Sequence, residues 1–321
     1  MSTKSKDWRT ILSDYSLVLI LVVMMIICSV ANENFLKLNN LMNVVKQQSV
    51  IIMISFGAML LIIGGLLDLA AGSVLALSGV ICVSFYQKVP NVFLTILVAI
   101  VVAVLCNLVS AVMVTYFHAP PFIATLAVQA MARGGALFYT SGTNLYDIEG
   151  LTFIGQGSFL GIPMPVYFML ACLIAMSYLT KQTKLGRSVY AVGGNEEAAR
   201  ASGINVDKVK VLAYVINGIL VGLAAAVWVA RVNGAMPNGG QGYEFDAMTS
   251  TIIGGTSFSG GVGTAFGTLI GSFIVGFLNN IMNLASIDSY LQQVVRGFII
   301  GVAVIWDIYS KDKKSFKKGK K

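Results

Sequence analysis

Charge is scarce in this sequence. Of its 321 residues only 11% are Asp, Glu, Lys or Arg, while 56% are hydrophobic, and the mean hydropathy is +0.80. A soluble domain carries about 25% charged residues. The composition therefore excludes a soluble globule, a disordered chain and a disulfide scaffold, and leaves a membrane protein with many spans. Histidine is nearly absent. His118 stands alone beside Pro120-Pro121, so neither a histidine metal site nor histidine acid–base chemistry has its residues. The cysteines Cys28, Cys82, Cys106 and Cys172 fall in apolar runs at unrelated spacings and read as small buried hydrophobes. No Gly-x-x-x-x-Gly-Lys-Ser/Thr phosphate loop occurs, so the chain is not itself an ATPase of that type.

What is abundant is long apolar runs. A helix needs about 20 residues to cross a hydrocarbon core. Candidate spans lie at Tyr15–Ala31, Val44–Ile63, Leu69–Tyr86, Phe93–Tyr116, Phe122–Tyr139, Val166–Leu179, Val211–Val232, Val262–Met282 and Leu291–Ile308. Ser29-Val30-Ala31 resembles a signal-peptide cleavage site, but the chain beyond it stays in the membrane, so a retained span is expected. The net charge of +8 comes from 22 basic and 14 acidic residues. Most of the basic ones form three groups: Lys4, Lys6 and Arg9; Lys181, Lys184, Arg187, Arg200, Lys208 and Lys210; and Lys311 to Lys321. The positive-inside rule puts all three on the cytoplasmic side. Attraction to anionic lipid accounts for the lysine-rich end better than nucleic acid does. Thr140–Pro163, with Asp147 and Glu149 and no Lys or Arg, reads as outside. Parity then demands a tenth crossing hidden between Glu244 and Gly261, too short for a straight helix and expected as a broken or re-entrant element.

Ile62-Ile63-Gly64-Gly65 recurs as Ile252-Ile253-Gly254-Gly255. Gly-interrupted segments in corresponding places point to a two-half pseudo-repeat around a central site, or equally to tight packing through small residues. Asp68 is a lone acid between apolar runs. It either caps the next helix near Ala70 and Ala71 or faces a pathway, and the two are compatible. Arg133 lies inside an apolar run, to snorkel or to pair. Asn107, Asn217, Asn279, Asn280 and Asn283 offer amides, for a polyhydroxylated solute or for interhelical hydrogen bonds. Beyond Asp68, the midmembrane segments are expected to offer almost none of the buried carboxylates and histidines in relay that a proton-driven carrier usually shows.

The central stretch Gly186–Ile204 is the most informative. Asn195-Glu196-Glu197 reads as an N-cap followed by acids on a first turn, Ala198, Ala199 and Ala201 continue a short smooth helix, and Gly203 ends it. At these residues the chain resembles the membrane-spanning permease subunits of bacterial ABC sugar importers of the ribose type. The similarity continues at Gly242-Tyr243-Glu244-Phe245-Asp246-Ala247 running into Gly254-Gly255-Thr256-Ser257-Phe258-Ser259-Gly260-Gly261-Val262-Gly263, at Phe122-Ile123-Ala124-Thr125-Leu126 with Arg133-Gly134, at Asp68-Leu69 with Gly72-Ser73, and at Gly276-Phe277-Leu278-Asn279-Asn280 with Ser289-Tyr290 and Gln292-Gln293. It departs at Leu66-Leu67-Asp68-Leu69-Ala70, where the family has Gly-Ile-Asp-Leu-Ser, and at Thr249-Ser250-Thr251, where the family has a small apolar run.

The resemblance implies an all-α polytopic transmembrane bundle of about ten spans with broken or re-entrant elements. A cytoplasmic N-terminus (1–14), one permease domain (15–308) holding a coupling loop (181–210), and a basic cytoplasmic tail (309–321) are expected. It also implies two permease copies, like or unlike, enclosing a path in the inner membrane, separate cytoplasmic ATPase subunits, and an extracytoplasmic sugar-binding protein docking near Thr140–Pro163 and Arg231–Tyr243. No cofactor and no covalent chemistry are expected. Candidate path residues are Asp68, Asn107, Phe122, Thr125, Arg133, Asn217, Thr249, Thr256, Ser257, Asn279 and Asn280. Candidate ATPase-coupling residues are Gly186, Arg187, Gly193, Asn195, Glu196, Ala198, Ala199 and Gly203. The cargo implied is ribose or a similar pentose or hexose. A nucleoside, a signalling sugar or a branched-chain amino acid on the same architecture, an ATP-independent carrier or channel, and a membrane enzyme are the alternatives.

Overall fold

The computed structural model describes residues 16–318. The N-terminal basic group Lys4, Lys6 and Arg9, and Lys320 and Lys321 at the other end, lie outside the described residues. Helices dominate: α1 (Ser16–Ala31), α2 (Leu38–Ile63), α3 (Ala71–Lys88), α4 (Val92–Thr115), α5 (Pro121–Thr140), α6 (Thr152–Gln156), α7 (Met164–Gln182), α8 (Lys184–Gly194), α9 (Glu196–Ala201), α10 (Val206–Val232), α11 (Tyr243–Ile253), α12 (Ala265–Leu284) and α13 (Ser289–Lys318). Among the described residues the paired strands are a two-residue hairpin, Ser158–Phe159 against Ile162–Pro163. Helices α2, α3, α4, α5, α7, α10 and α12 are long and apolar enough to cross a membrane. All ten expected segments contain helix among the described residues, and the one between Glu244 and Gly261 is short. Helix α11 has 11 residues, about half a bilayer's depth at 1.5 Å per residue, and residues 254–264 return as loop.

Burial runs opposite to that of a soluble protein. The most apolar of these helices, α4, is among the least buried, and it turns Phe93, Leu97, Val101, Leu105 and Val109 outward. Its inward stripe is small or polar: Thr95, Ala99, Ala103, Asn107 and Ala111. Lipid is as apolar as leucine, so close backbone approach decides which face turns inward. The matching stripe on α10 is Gly218 and Gly222, where a Cβ would run into the α4 backbone at Val104 and Ile100. Helices α2 and α10 form the centre: residues 48–63 of α2 and 224–230 of α10 are buried throughout.

The two Ile-Ile-Gly-Gly segments end their helices in the same way. In α2, Gly65 at φ +74° donates its N–H to the Ile62 carbonyl and Leu66 N–H donates to Leu61, at 3.0 and 2.8 Å. In α11, Gly255 at φ +86° donates to Ile252 and Thr256 to Thr251, both at 2.9 Å. Each is a Schellman end whose left-handed residue favours glycine.

Candidate functional site

The basic central loop folds into α8 and α9, each with its own cap. The sequence pattern indicated α9 but gave no sign of α8. Thr183 Oγ1 accepts Gly186 N–H at 3.0 Å, Asn195 Oδ1 accepts Ala198 N–H at 2.8 Å, and Asn205 Oδ1 accepts Lys208 N–H at 2.9 Å. Gly203, at φ +83°, closes α9, and Ile204 N–H donates to Ala199 O at 3.1 Å. Ala199 packs inward, whereas Arg187, Asn195, Glu196, Glu197 and Ala198 face out. Gly186 is buried so closely that a Cβ would overlap the Leu179 carbonyl.

Glu196 ties this loop to α10. Lys210 Nζ lies 2.9 Å from both carboxylate oxygens, and Arg200 bridges Glu196 and Asp207 at 3.3 Å each. The hydrogen bond from Lys210, helped by its charge and by Arg200, holds the Glu196 carboxyl below its ordinary value of 4.5. A carboxyl depressed in the folded state stabilises above its unfolded pKa and loses that contribution as pH falls through the folded value. Glu196→Gln should therefore lower loop stability at pH 7 by less than about 1 kcal/mol, because the Glu196 side chain is 44% exposed and its ion pairs are screened by solvent. The difference from wild type should vanish well below pH 4.5. Amide exchange of residues 196–210 across pH reads it, and a gap that widens in acid contradicts the clamp.

Higher in the bundle, the unwound segment after α2 places Asp68 against α10 and α4. Asn217 Nδ2 donates to Asp68 Oδ2 at 2.6 Å and to Asn107 Oδ1 at 2.8 Å, while Asp68 Oδ1 accepts Ala70 N–H at 2.7 Å. Tyr214 Oη donates to Leu67 O at 3.0 Å. Asp68 therefore supplies the cap at Ala70 and an interhelical bond at once, with every member buried.

A cavity of about 590 Å³ lies between α5, the α11 entry and α13, lined by Gln129, Gln241, Glu244, Phe245, Gln293 and Arg296. Gln129 Nε2 and Gly242 N–H donate to Glu244 Oε1 at 3.4 and 3.3 Å, and Arg296 pairs with Asp246 at 3.5 Å. Amides, a carboxyl, a guanidinium and an aromatic face together suit a polar solute that both donates and accepts hydrogen bonds. Arg133, one turn along α5 from Gln129, donates from Nη1 to Pro237 O at 2.6 Å and to Gly239 O at 2.9 Å, gripping the non-helical entry to α11. A neighbouring cavity of about 180 Å³ is lined by Asp246, Thr249, Asn279 and Arg296.

The sequence-selected path residues thus divide into groups. Asp68, Asn107 and Asn217 form one network, and Thr249 and Asn279 share the smaller cavity. Asn280 is reciprocally paired with Asn40 at 2.9 Å. Thr125 bonds back to Pro121 O at 2.9 Å, Phe122 is half-exposed, and Thr256 and Ser257 are buried in the loop after α11. Glu244, Asp246 and Arg296, together with Gln129, Gln241 and Gln293, were missed as site residues. A signal existed, since three charges within or beside apolar runs meet the test that singled out Asp68.

At the far end of α10, about 40 Å from the loop by helix rise, the two segments expected at an outer mouth are joined. Leu145 and Ala235 exchange backbone bonds at 2.9 and 2.8 Å, and Gln156 Nε2 donates to Arg231 O at 3.1 Å.

With this arrangement established, comparison with known proteins gives its family. Residues 40–304 match the family described as branched-chain amino acid transport system, permease component. The ribose import permease protein of Haemophilus influenzae is 40% identical over 92% of this chain and 93% of its own length. That of Bacillus subtilis is 39% identical over 89% and 90%, and the D-allose transport system permease protein of Escherichia coli is 35% identical over 89% and 88%. No solved structure matches. A near-full-length family match and an all-helical bundle of membrane-crossing length converge: this chain belongs to the transport-system permease-component family, as a multi-pass membrane protein.

Proposed function

We propose that the chain is the permease subunit of an ATP-driven importer for ribose or a closely similar sugar. The near-full-length likeness to permeases named for ribose carries the reading, and the cavity chemistry agrees with it. In this reading the loop at 181–210 and both termini face the cytoplasm, as their basic residues favour. The outward face of α9 (Glu196, Glu197, Ala198) meets a separate ATPase subunit. The joined segments 140–163 and 231–243 receive a sugar-binding protein. The 590 Å³ cavity has Gln293, Arg296, Gly297 and Ile300 of α13 as one wall, and α13 also turns Val294 and Phe298 outward. That position fits a path enclosed by two copies of the permease.

Labelled D-ribose uptake into proteoliposomes holding this chain, its ATPase and its binding protein tests the proposal. Uptake should need ATP and all three components, and D-allose should compete better than L-leucine. Uptake without the ATPase would sink the proposal in favour of a secondary carrier. A branched-chain amino acid is the second reading, favoured by the family's description. Against it, Arg296 already shares its charge with Asp246 at 3.5 Å and Glu244 lies in the same lining, so the described residues that line the cavity offer an amino acid's carboxylate no uncompensated cation.

A further inference from the structure

Both broken helices meet the central loop at one place. The α2 end and the loop after α11 are hydrogen-bonded to each other there, Gly261 N–H donating to Ile63 O at 2.8 Å. The C-terminal turn of α8 sits on that bond. A Cβ on Gly193 would overlap the Ile63 carbonyl and come within 3.0 Å of Gly261 N. A Cβ on Gly260, in turn, would strike the Gly193 carbonyl. Val189, one turn earlier in α8, lies under Gly64, and Tyr190 Oη donates to Gly263 O at 2.6 Å. By contrast, a Cβ on the adjacent Gly194 would meet nothing within 4 Å. Three backbones thus converge with no side chain between them, and no slack is left for one to move without the others.

We infer that Gly193 and Tyr190 are positioning residues through which a displacement of the central loop reaches both Gly-Gly helix ends at once. The inference rests on the proposed ATP-coupled reading but not on which solute is carried. Loop contact with a partner is local, whereas alternating access needs both halves to move. The junction supplies the link: Gly193 bears on the end of α2 and, through Gly260 and Gly261, on the segment that leads out of α11. Side-chain-free contact transmits displacement because it has no rotamer to absorb it. The Tyr190 bond adds a second tie to the far end of the same loop.

The test compares Gly193→Ala with Gly194→Ala and Tyr190→Phe in the full chain. In the complex with ATPase and binding protein, the readout is the ratio of ATP hydrolysis with sugar-loaded binding protein to hydrolysis without it. That ratio should fall about tenfold in Gly193→Ala and about threefold in Tyr190→Phe, within the range for mutations along a coupling route. It should stay within about twofold of wild type in Gly194→Ala. Copurification of the ATPase with each variant separates lost coupling from lost assembly. Should Gly193→Ala fail to assemble, Tyr190→Phe decides, and an unchanged ratio in it overturns the inference. Equal ratios in the two alanine variants overturn it too. Amide exchange of the chain alone, in nanodiscs, decides the matter even if wild type transports no sugar. Protection should drop together at 61–66 and at 251–261 in Gly193→Ala and at neither in Gly194→Ala. A loss confined to one break also overturns the inference, whereas absent ATP-dependent uptake by wild type counts against the sugar-importer reading alone.

Discussion

Asn217→Leu should destabilise the chain by about 2–4 kcal/mol, well above the ~0.6 kcal/mol average for interhelical hydrogen bonds in membranes. That average reflects neutral pairs whose members find other partners when the bundle loosens. Here one amide nitrogen serves two acceptors, Asp68 Oδ2 at 2.6 Å and Asn107 Oδ1 at 2.8 Å. Removing it orphans both, one of them a carboxyl oxygen with no other hydrogen-bond donor among the described residues. A buried acceptor without a donor costs about 1–3 kcal/mol, and more when it carries charge. Leucine adds a second insult, because the site abuts Gly57, where even one Cβ would overlap the Asn217 side chain. Asn107→Leu should cost less, since Asp68 keeps both of its donors. Thermal unfolding of the purified chain in detergent ranks the two. Equal losses, or less than about 1 kcal/mol for Asn217→Leu, would mean that the network does not hold α2, α4 and α10 together.

How much of this could be read beforehand differs from residue to residue. Asp68 stood out because a lone acid among apolar runs has few explanations, and its cap at Ala70 followed from ordinary helix chemistry. Its second partner did not follow, since Asn217 lies 149 residues away and several other asparagines were equally eligible. Only the packing of α10 against α2 and α4, set by glycines that look alike in sequence, selects among them. The α9 cap was legible because Asn195 acts on Ala198, three residues on. Helix α8 was not, because Gly186, Gly193 and Gly194 argue against a helix by propensity, and tertiary contact with Ile63 and Gly261 outweighs that. Glu244 and Asp246 were hidden differently. They sit at the edge of a segment whose helix is half-length, so neither clearly counted as inside the membrane until α11 was seen to begin at Tyr243.

The paired Gly-Gly breaks admitted two readings, a repeat or tight packing, and the contacts speak for packing. The two helix ends use the same hydrogen-bond pattern, but so do the ends at Gly203 and Ser286, so the pattern does not mark related halves. The glycines are also required by contact: a Cβ on Gly254 would strike the Gly267 backbone and one on Gly271 the Ser250 carbonyl, so α11 lies flat against α12. Scarce charge fits the same logic. In lipid each buried charge needs a dedicated partner, and the few present are spent where the chain leaves regular helix, Asp68 after α2, Arg133 on the turn before α11, and Asp246 with Arg296 beside the cavity.

Of these, Arg133 should be the least replaceable for transport. In the segment between α10 and α11 the Ala235, Met236 and Gly240 carbonyls accept backbone N–H groups, whereas those of Pro237 and Gly239 take their partner from a side chain. Arg133 Nη1 supplies Pro237 O and Gly239 O at 2.6 and 2.9 Å. On the same α5 face, Gln129 reaches Glu244 Oε1 at 3.4 Å, so the grip also fixes one wall of the 590 Å³ cavity. Charge-assisted bonds of this kind are worth about 1.5–3 kcal/mol each. Arg133→Met fills the volume but offers no donor, so ATP-dependent ribose uptake should fall at least about a hundredfold, the effect of losing about 2.7 kcal/mol. Arg133→Lys keeps the charge on a shorter point donor without the planar fork, and should recover only part of the rate. The comparison separates two explanations. Full recovery with lysine would mean that a positive charge facing Glu244 is what matters. Wild-type uptake by the methionine variant, at equal expression, would show that the turn before α11 holds its place without Arg133.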